Sequence, residues 1–226
     1  MKTKLFTIVA LLGLTASMGW AQRVRVVHAS PDAPAVDIYV DGQKAFQDLP
    51  FGSATDYAEV ERDQHEFSVN IAGTDTMVLR TFAFIDGRDY TILAIGFAGG
   101  GTPALAVLPL ADDYVPPAEG KAAVRVVHAA PSAPAVDVYW TSPFAALGEP
   151  VLSSVPFGVA SGYLTVPASM QGPGKLYQAR VTVAGTETVA IDSGRILLPS
   201  QAVRTYIALD DPGSEGFQII ELLDRN

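Results

Sequence analysis

The sequence predicts an all-β protein made of two tandem, antiparallel, immunoglobulin-like β-sandwich domains. Three observations support this: near-identical segments recur about 100 residues apart, apolar residues alternate with period two in short runs, and turn residues separate those runs. Many short alternating strands with frequent turns are typical of a sandwich, in which each strand buries one face. No run of the chain has a convincing helical period.

The repeat is clearest at the start of each half. Residues 24–39 read VRVVHASPDAPAVDIY and residues 124–139 read VRVVHAAPSAPAVDVY, with 13 of 16 positions identical. Two shorter matches follow at larger offsets: PFGSATDY at 50–57 with PFGVASGY at 156–163, and AGTDT at 72–76 with AGTET at 184–188. The second copy therefore carries two insertions of six residues each.

The repeat predicts the domain boundaries. We expect a first sandwich at 22–115, a Pro-rich linker at 116–120 and a second sandwich at 121–226. The linker's Pro-Pro pair makes it a semi-rigid spacer that limits the orientations of the two domains.

Within the first copy, each predicted strand has its own signal. Val36, Ile38 and Val40 alternate with polar residues and end at Asp41-Gly42, a strong hairpin-turn signal. The remaining strands follow in order: an alternating run at 67–71, an interleaved run at 76–85, a run buried on both faces at 90–97 and a closing strand at 104–110.

The N-terminus predicts export. Lys2 and Lys4 precede the apolar run 5–14, and the small residues Gly19 and Ala21 suit cleavage before Gln22. We expect residues 1–21 to be a signal peptide that is removed, because the run is about half of the roughly 20 residues that span a bilayer. The mature protein is then periplasmic or extracellular, with no membrane span.

Composition excludes several classes of function. Lys and Arg total 15 against 24 Asp and Glu, a net charge of −9, so the chain lacks a surface that would neutralise nucleic-acid phosphates. Cysteine is absent, which excludes disulfides, thiolate metal sites and a cysteine nucleophile.

The opening motif resembles a known family. Residues 24–37 match the V-R-x-x-H-A-S-P-D-A-P-x-V-D pattern of the bacterial domain of unknown function (DUF) family 4397, which often occurs in tandem in exported proteins. The second copy departs from the pattern at Ala130 and Ser132. The resemblance implies a β-sandwich and an extracytoplasmic location, and it implies no activity.

The motif also supplies the residues most able to do chemistry: His28 and Asp37 in the first copy, His128 and Asp137 in the second. His28 follows Val24 and Val26 on one strand face, so we predict a structural imidazole paired with Asp37, Tyr57 or the backbone of loop 30–34. A metal-binding or catalytic role is the alternative. His65 lies in the charged stretch 59–66, which we interpret as a solvated turn.

No metal, cofactor or catalytic site is predicted. Asp32 and Asp37 suggest calcium, but their spacing is not that of a calcium loop and Ser132 replaces Asp32 in the second copy. The pairs Asp112-Asp113 and Asp210-Asp211 flank turns or strand ends, where Asp is common. No nucleophile elbow or triad is recognisable.

The first insertion of the second copy places Trp140, Phe144 and Leu147 in or next to a loop. Loops at the ends of sandwiches commonly carry recognition, so this loop is the candidate partner-binding surface. The alternative is that its apolar residues fold down and cover a sheet edge.

The sequence therefore predicts a non-catalytic, exported cell-envelope protein that binds a protein or glycan partner or acts as a spacer. The alternative is an extracytoplasmic enzyme or metal-binding protein that uses the neighbourhoods of His28 and His128.

Overall fold

The computed structural model describes residues 22–214 and 216–225, and this part of the chain is all-β. The prediction of an all-β sandwich protein is confirmed. No helix in the described ranges is long and apolar enough to cross a bilayer. The predicted signal peptide, residues 1–21, lies outside the described residues.

The first repeat forms two four-stranded sheets. Its strands are β1 (Gln22–Ala29), β2 (Val36–Val40), β3 (Gln43–Leu49), β4 (Ala58–Val60), β5 (Gln64–Ile71), β6 (Met77–Phe84), β7 (Tyr90–Ile95) and β8 (Ala106–Ala111). We call the sheet β4-β1-β7-β8 inner sheet 1 and the sheet β3-β2-β5-β6 outer sheet 1.

The second repeat has the same arrangement. Its strands are β9 (Lys121–His128), β10 (Val136–Thr141), β11 (Leu152–Val155), β12 (Val159–Ala160), β13 (Leu164–Pro167), β14 (Lys175–Val183), β15 (Val189–Asp192), β16 (Ile196–Leu198), β17 (Val203–Asp211) and β18 (Gly216–Arg225). Inner sheet 2 is β12-β9-β17-β18, with β13 also pairing with β9, and outer sheet 2 is β11-β10-β14-β15, with β16 also pairing with β14.

One strand pair in each inner sheet departs from the predicted antiparallel pattern. Strand β1 pairs in parallel with β7, and β9 pairs in parallel with β17. Parallel neighbours need a long connection, and here the whole outer sheet lies between the two strands in sequence. The pairing places the repeated motif strand at the centre of its sheet.

Alternate residues of β1 face opposite sides of inner sheet 1. Val24 and Val26 pack in cores shared with outer sheet 1, together with residues such as Ile38 and Phe67. Val27 and Ala29 instead pack in a core that includes Val127, Ala129, Ile207 and Leu209 of the second repeat. The two inner sheets therefore contact each other, and the repeats share a continuous hydrophobic core.

An arginine from each repeat reaches across this contact. Arg25 donates from Nε to Thr91 Oγ1 of its own repeat at 2.9 Å and from Nη1 to the Leu223 carbonyl of the other at 3.3 Å. Its Nη2 forms an ion pair with Asp224, and both side chains are at least 96% buried.

Arg125 makes the matching contacts in the opposite direction. It donates to Thr205 Oγ1 at 3.0 Å, to the Ala111 carbonyl at 3.1 Å and to Asp112 Oδ1 at 2.6 Å. The acceptor carboxylates are held by hydroxyls of their own repeats: Tyr57 and Thr91 donate to Asp112, and Tyr163 and Thr205 donate to Asp224. The two repeats are thus joined by reciprocal buried ion pairs as well as by the linker.

Candidate functional site

The motif histidines are buried and hydrogen-bonded to backbone groups of their own repeats. His28 is 1% exposed, and its Nε2 lies 3.0 Å from the Pro34 carbonyl while its Nδ1 accepts a long bond from the Ser30 amide at 3.4 Å. Since a carbonyl only accepts, Nε2 carries the proton and the ring is neutral. Of the three partners that we proposed, the loop backbone is the one it uses.

His128 has the same environment in the second repeat. Its Nε2 lies 3.0 Å from the Pro134 carbonyl, and its Nδ1 accepts from the Ala130 amide at 3.4 Å. Burial lowers the pKa of both imidazoles below 6.5, so they stay uncharged at neutral pH. Both ring nitrogens of each histidine therefore have backbone partners in this structure.

The motif aspartates hold loops. Asp37 accepts from Lys44 Nζ at 2.6 Å and from the amides of Asp48 and Gly73, and these contacts lower its pKa to about 2. Asp137 accepts from the amides of Ser154 and Gly185 at 2.7 and 2.8 Å. Each carboxylate therefore joins the next strand, β3 or β11, to the turn within AGTDT at 72–76 or AGTET at 184–188.

The other acidic residues are also used within the fold. Asp32 accepts from the amides of Ala98 and Gly99 at 2.7 and 2.8 Å and so anchors the glycine-rich loop. Asp210 accepts from Ser132 Oγ at 2.6 Å. Within the described ranges, no group of three or more His, Cys, Asp or Glu side chains is placed to hold a metal ion.

The interpretation of His65 as part of a solvated turn is wrong. His65 lies in β5 and is 9% exposed. Its Nδ1 is 2.7 Å from Asp41 Oδ2 and its Nε2 is 2.9 Å from the Glu61 carbonyl. Burial acts to lower its pKa, but the hydrogen bonds to Asp41 and Glu61 outweigh burial and raise it. The polar residues next to His65 in the sequence did not indicate that this position lies on the buried face of a strand.

The three residues of the predicted partner-binding loop have different environments. Trp140 lies in β10, and its ring contacts the rings of Tyr177 and Tyr206 at centroid distances of 5.4 and 5.3 Å. Phe144 is 78% exposed in the loop, and Leu147 is half-buried. Only Phe144 offers a large exposed apolar surface to a partner.

Comparison of the repeats explains how the partly buried Trp140 packs against the core. Trp140 faces Ala179 across the ladder, whereas its counterpart in the first repeat, Val40, faces Phe67. In the first repeat the larger residue of the pair, Phe67, lies on β5, whereas in the second repeat the larger residue, Trp140, lies on β10. Volume-conserving exchanges of this kind keep a core packed, so Trp140 fills the space that Phe67 fills in the first repeat.

Phe144 is held outward by its loop. Its backbone has φ 63°, a conformation that bulky residues rarely adopt and that costs about 1–3 kcal/mol. Its amide donates to Gln178 Oε1 at 2.8 Å, and the guanidinium of Arg195 lies 5.1 Å from the centre of its ring.

Arg195 also lines a groove of about 620 Å³ between outer sheet 2 and β18, which we call the repeat-2 groove. Five further polar residues line it, together with apolar residues that include Ile196, Phe217 and Ile219. The five polar residues are Asp192, Ser193, Tyr206, Gln218 and Glu221. Ligand sites commonly have volumes of roughly 300–1,000 Å³, so the groove is of suitable size.

The hydroxyl of Tyr206 distinguishes this groove. Tyr206 is 3% exposed, and its buried oxygen has no hydrogen-bond partner among the described residues. Burial, and after it the nearby carboxylate of Glu221, raise the pKa of Tyr206 well above its ordinary value. A buried unpaired hydroxyl is unfavourable by about 1–3 kcal/mol.

Sequence reasoning missed Tyr206, although the repeat contains a signal. Tyr206 pairs with Val126, and the corresponding partner of Val26 in the first repeat is Ile92, a core residue. The second copy therefore places a phenol where the first places an aliphatic side chain. The flanking sequences are too different for this equivalence to be recognised without the strand register.

A second cleft, of about 510 Å³, opens between β3 and β4 in the first repeat. Its floor is apolar, and its prominent polar groups are already paired: His65 with Asp41, and Lys44 with Asp37. None of its lining side chains has a buried polar atom without a partner in the described part of the chain, whereas the repeat-2 groove has the Tyr206 hydroxyl.

Comparison with protein families gives a clear match. The family model for a domain of unknown function, DUF4397, matches residues 22–139. The chain belongs to the DUF4397 family. The match covers the first repeat and continues through β9 and most of β10, and it carries no assigned activity. Among curated proteins, no significant match to this DUF4397 chain is found.

Solved structures give only distant likenesses to this DUF4397 protein. A family CBM26 module from Eubacterium rectale, solved with maltoheptaose, is 9% identical, with 89% of this chain and 97% of that chain covered and a TM-score of 0.26. A streptococcal virulence factor, solved for its α-glucan binding, is 12% identical, with 87% and 95% covered and a TM-score of 0.28. Similarity at these scores carries no inference about function.

Proposed function

We propose that this chain is an exported, non-catalytic binding module of the bacterial cell envelope. Its binding surface is the repeat-2 groove, with Phe144 at the rim, and its partner is a glycan or protein of the envelope. The observation that carries the proposal is the unpaired, buried hydroxyl of Tyr206 in an open groove.

The distribution of paired groups supports a binding role over a catalytic one. His28, His128, Asp37 and Asp137 all make hydrogen bonds that hold loops, so none is free to act as an acid, base or ligand. The groove instead leaves polar groups available without a nucleophile and base in contact. Such a site orients a ligand by hydrogen bonds.

The shared core of the two repeats fits this role. Reciprocal ion pairs and inner-sheet packing present the groove on a rigid support. Rigid sites bind with less loss of conformational entropy than mobile ones. The first repeat then serves as the support and spacer for the second.

A sedimentation assay with isolated envelope material tests the proposal. The double variant Arg195→Glu, Phe144→Ala should lose most of the binding that the unmodified chain shows. The matched control is Arg80→Glu, Phe82→Ala, because Arg80 lies 5.7 Å from the centre of the 58% exposed Phe82 ring on the first repeat. Equal sedimentation of the groove variant and the control, or no sedimentation of the unmodified chain, contradicts the proposal.

A further inference from the structure

Resting on the proposed function, we infer that the repeat-2 groove binds a neutral, hydroxyl-rich glycan. The inference depends on which hydrogen-bonding groups the groove leaves open, on their net charge and on the apolar surface beside them.

The open groups include both donors and acceptors. Arg195 contacts Phe144 but makes no hydrogen bond within the described ranges, so its N–H groups are available. The Tyr206 hydroxyl is buried beside the groove without a hydrogen-bond partner among the described residues, and it can both donate and accept. A sugar hydroxyl also donates and accepts, so it matches this mixed set better than a purely anionic or cationic group.

The charges of the groove balance. Asp192 and Arg195 have opposite signs on the same wall, and Glu221 is paired with Arg204 at 3.0 Å. Asp192 is fixed by Gln178, whose Nε2 donates to both carboxylate oxygens at 2.7 and 2.8 Å. A balanced groove on a chain of net charge −9 does not attract an anion, and it has no excess acidity to select a cation.

Apolar surface lies beside these groups. Phe217 and Ile219 of β18 line the groove, and the exposed ring of Phe144 lies next to the guanidinium of Arg195, another lining residue. A pyranose has apolar C–H faces as well as hydroxyls, so an aromatic ring next to hydrogen-bonding groups suits it.

An extended peptide fits this groove less well. Adding a peptide strand to the outer sheet would require a long free edge, but β15 and β16 have four and three residues. Short edges prevent the continuous main-chain pairing on which peptide addition depends. Recognition here must come mainly from side chains.

Isothermal titration of the purified chain tests the inference. The probes are neutral hexasaccharides of glucose, mannose, galactose and N-acetylglucosamine, with polygalacturonate and a valine-threonine octapeptide as the charged and strand-forming alternatives. We expect at least one hexasaccharide to bind. Tyr206→Phe, which removes only the hydroxyl, should weaken that binding about 3- to 10-fold, the worth of one hydrogen bond, and Arg195→Met should weaken it at least as much.

Tyr177→Phe is the matched control. Tyr177 packs on the same tryptophan, but its hydroxyl donates to the Pro167 carbonyl at 2.6 Å and not into the groove. This variant should melt at a lower temperature and bind the hexasaccharide with unchanged affinity. Tyr206→Phe should melt no lower than the unmodified chain, since the hydroxyl it removes is unpaired.

The outcomes separate the ligand class from the site. If no neutral hexasaccharide binds, the inference is wrong. If polygalacturonate or the octapeptide binds instead and Tyr206→Phe or Arg195→Met weakens it, the ligand class is wrong and the proposed function stands. If a probe binds equally to the unmodified chain and to both groove variants, the groove is not the binding site, and both the inference and the proposed function are wrong.

Discussion

Removing one of the two reciprocal arginines should strongly destabilise the whole protein. In Arg125→Met, the methionine side chain preserves most of the packing of the arginine's aliphatic stem. Asp112 keeps its charge, and its side chain is only 1% exposed. Tyr57 and Thr91 still donate to that carboxylate, while the Ala111 carbonyl loses its donor. A buried charge without its counter-ion costs about 3–5 kcal/mol. For a chain of this size we expect the melting temperature to fall by about 6–20 °C.

The assay is thermal and urea unfolding followed by circular dichroism. Arg80→Met is the control, because Arg80 pairs with Glu66 at the surface, where both side chains are partly exposed. Such exposed pairs contribute about 0–1 kcal/mol. Arg25→Met should match Arg125→Met, since its contacts are equivalent. The double variant Arg125→Met, Asp112→Asn should regain more than half of the loss, because it removes the stranded charge.

Two results would refute this reasoning. One is a loss in Arg125→Met no larger than in Arg80→Met. The other is a two-step transition in the unmodified chain, since repeats that share the core around Val27, Leu93, Val127 and Ile207 should unfold together.

Three further predictions follow from the described geometry. The double variant His28→Gln, His128→Gln should flatten the pH dependence of stability below pH 6.5. The lowered pKa of each imidazole means that the unfolded chain binds more protons than the folded one there, so their contribution to stability is complete above pH 6.5 and is lost as the pH falls. Melts at several pH values with an unchanged slope would contradict this; His65, whose raised pKa acts above 6.5, is present in both proteins. Gly96→Ala should lower the free energy of unfolding in urea titrations by at least about 3 kcal/mol, because its φ is +90° and a Cβ would lie 2.3 Å from the Ala104 carbonyl oxygen. Gly42→Ala, with φ +76° and no atom within 4 Å, should lower it by about 1 kcal/mol. Expression of the full chain in a bacterial host should give a mature protein that begins at Gln22 by mass spectrometry, and retention of Met1 after secretion would disprove the predicted signal peptide.

Local patterns in the sequence were enough to predict the fold class. The alternation of Val36, Ile38 and Val40 reports which residues face a core, since side chains of a strand point to opposite sides in turn. The spacing of His28 from Val24 and Val26 likewise predicted a buried imidazole, and the structure places it there with backbone partners. The sixteen-residue repeat showed that the arrangement occurs twice.

What covers each face was decided only by the tertiary structure. Arg25 is buried because Asp224, 199 residues later, lies opposite it, and period-two alternation says nothing of a partner so distant in sequence. The repeat-2 groove is assembled in the same way, with Arg195 after β15, Tyr206 in β17 and Gln218 in β18. Tyr206 differs from its first-repeat counterpart, Ile92, in a way that only the strand register makes visible. Local periodicity determines the direction of a side chain, whereas packing of distant strands determines whether that side chain meets a core, a counter-ion or an open groove.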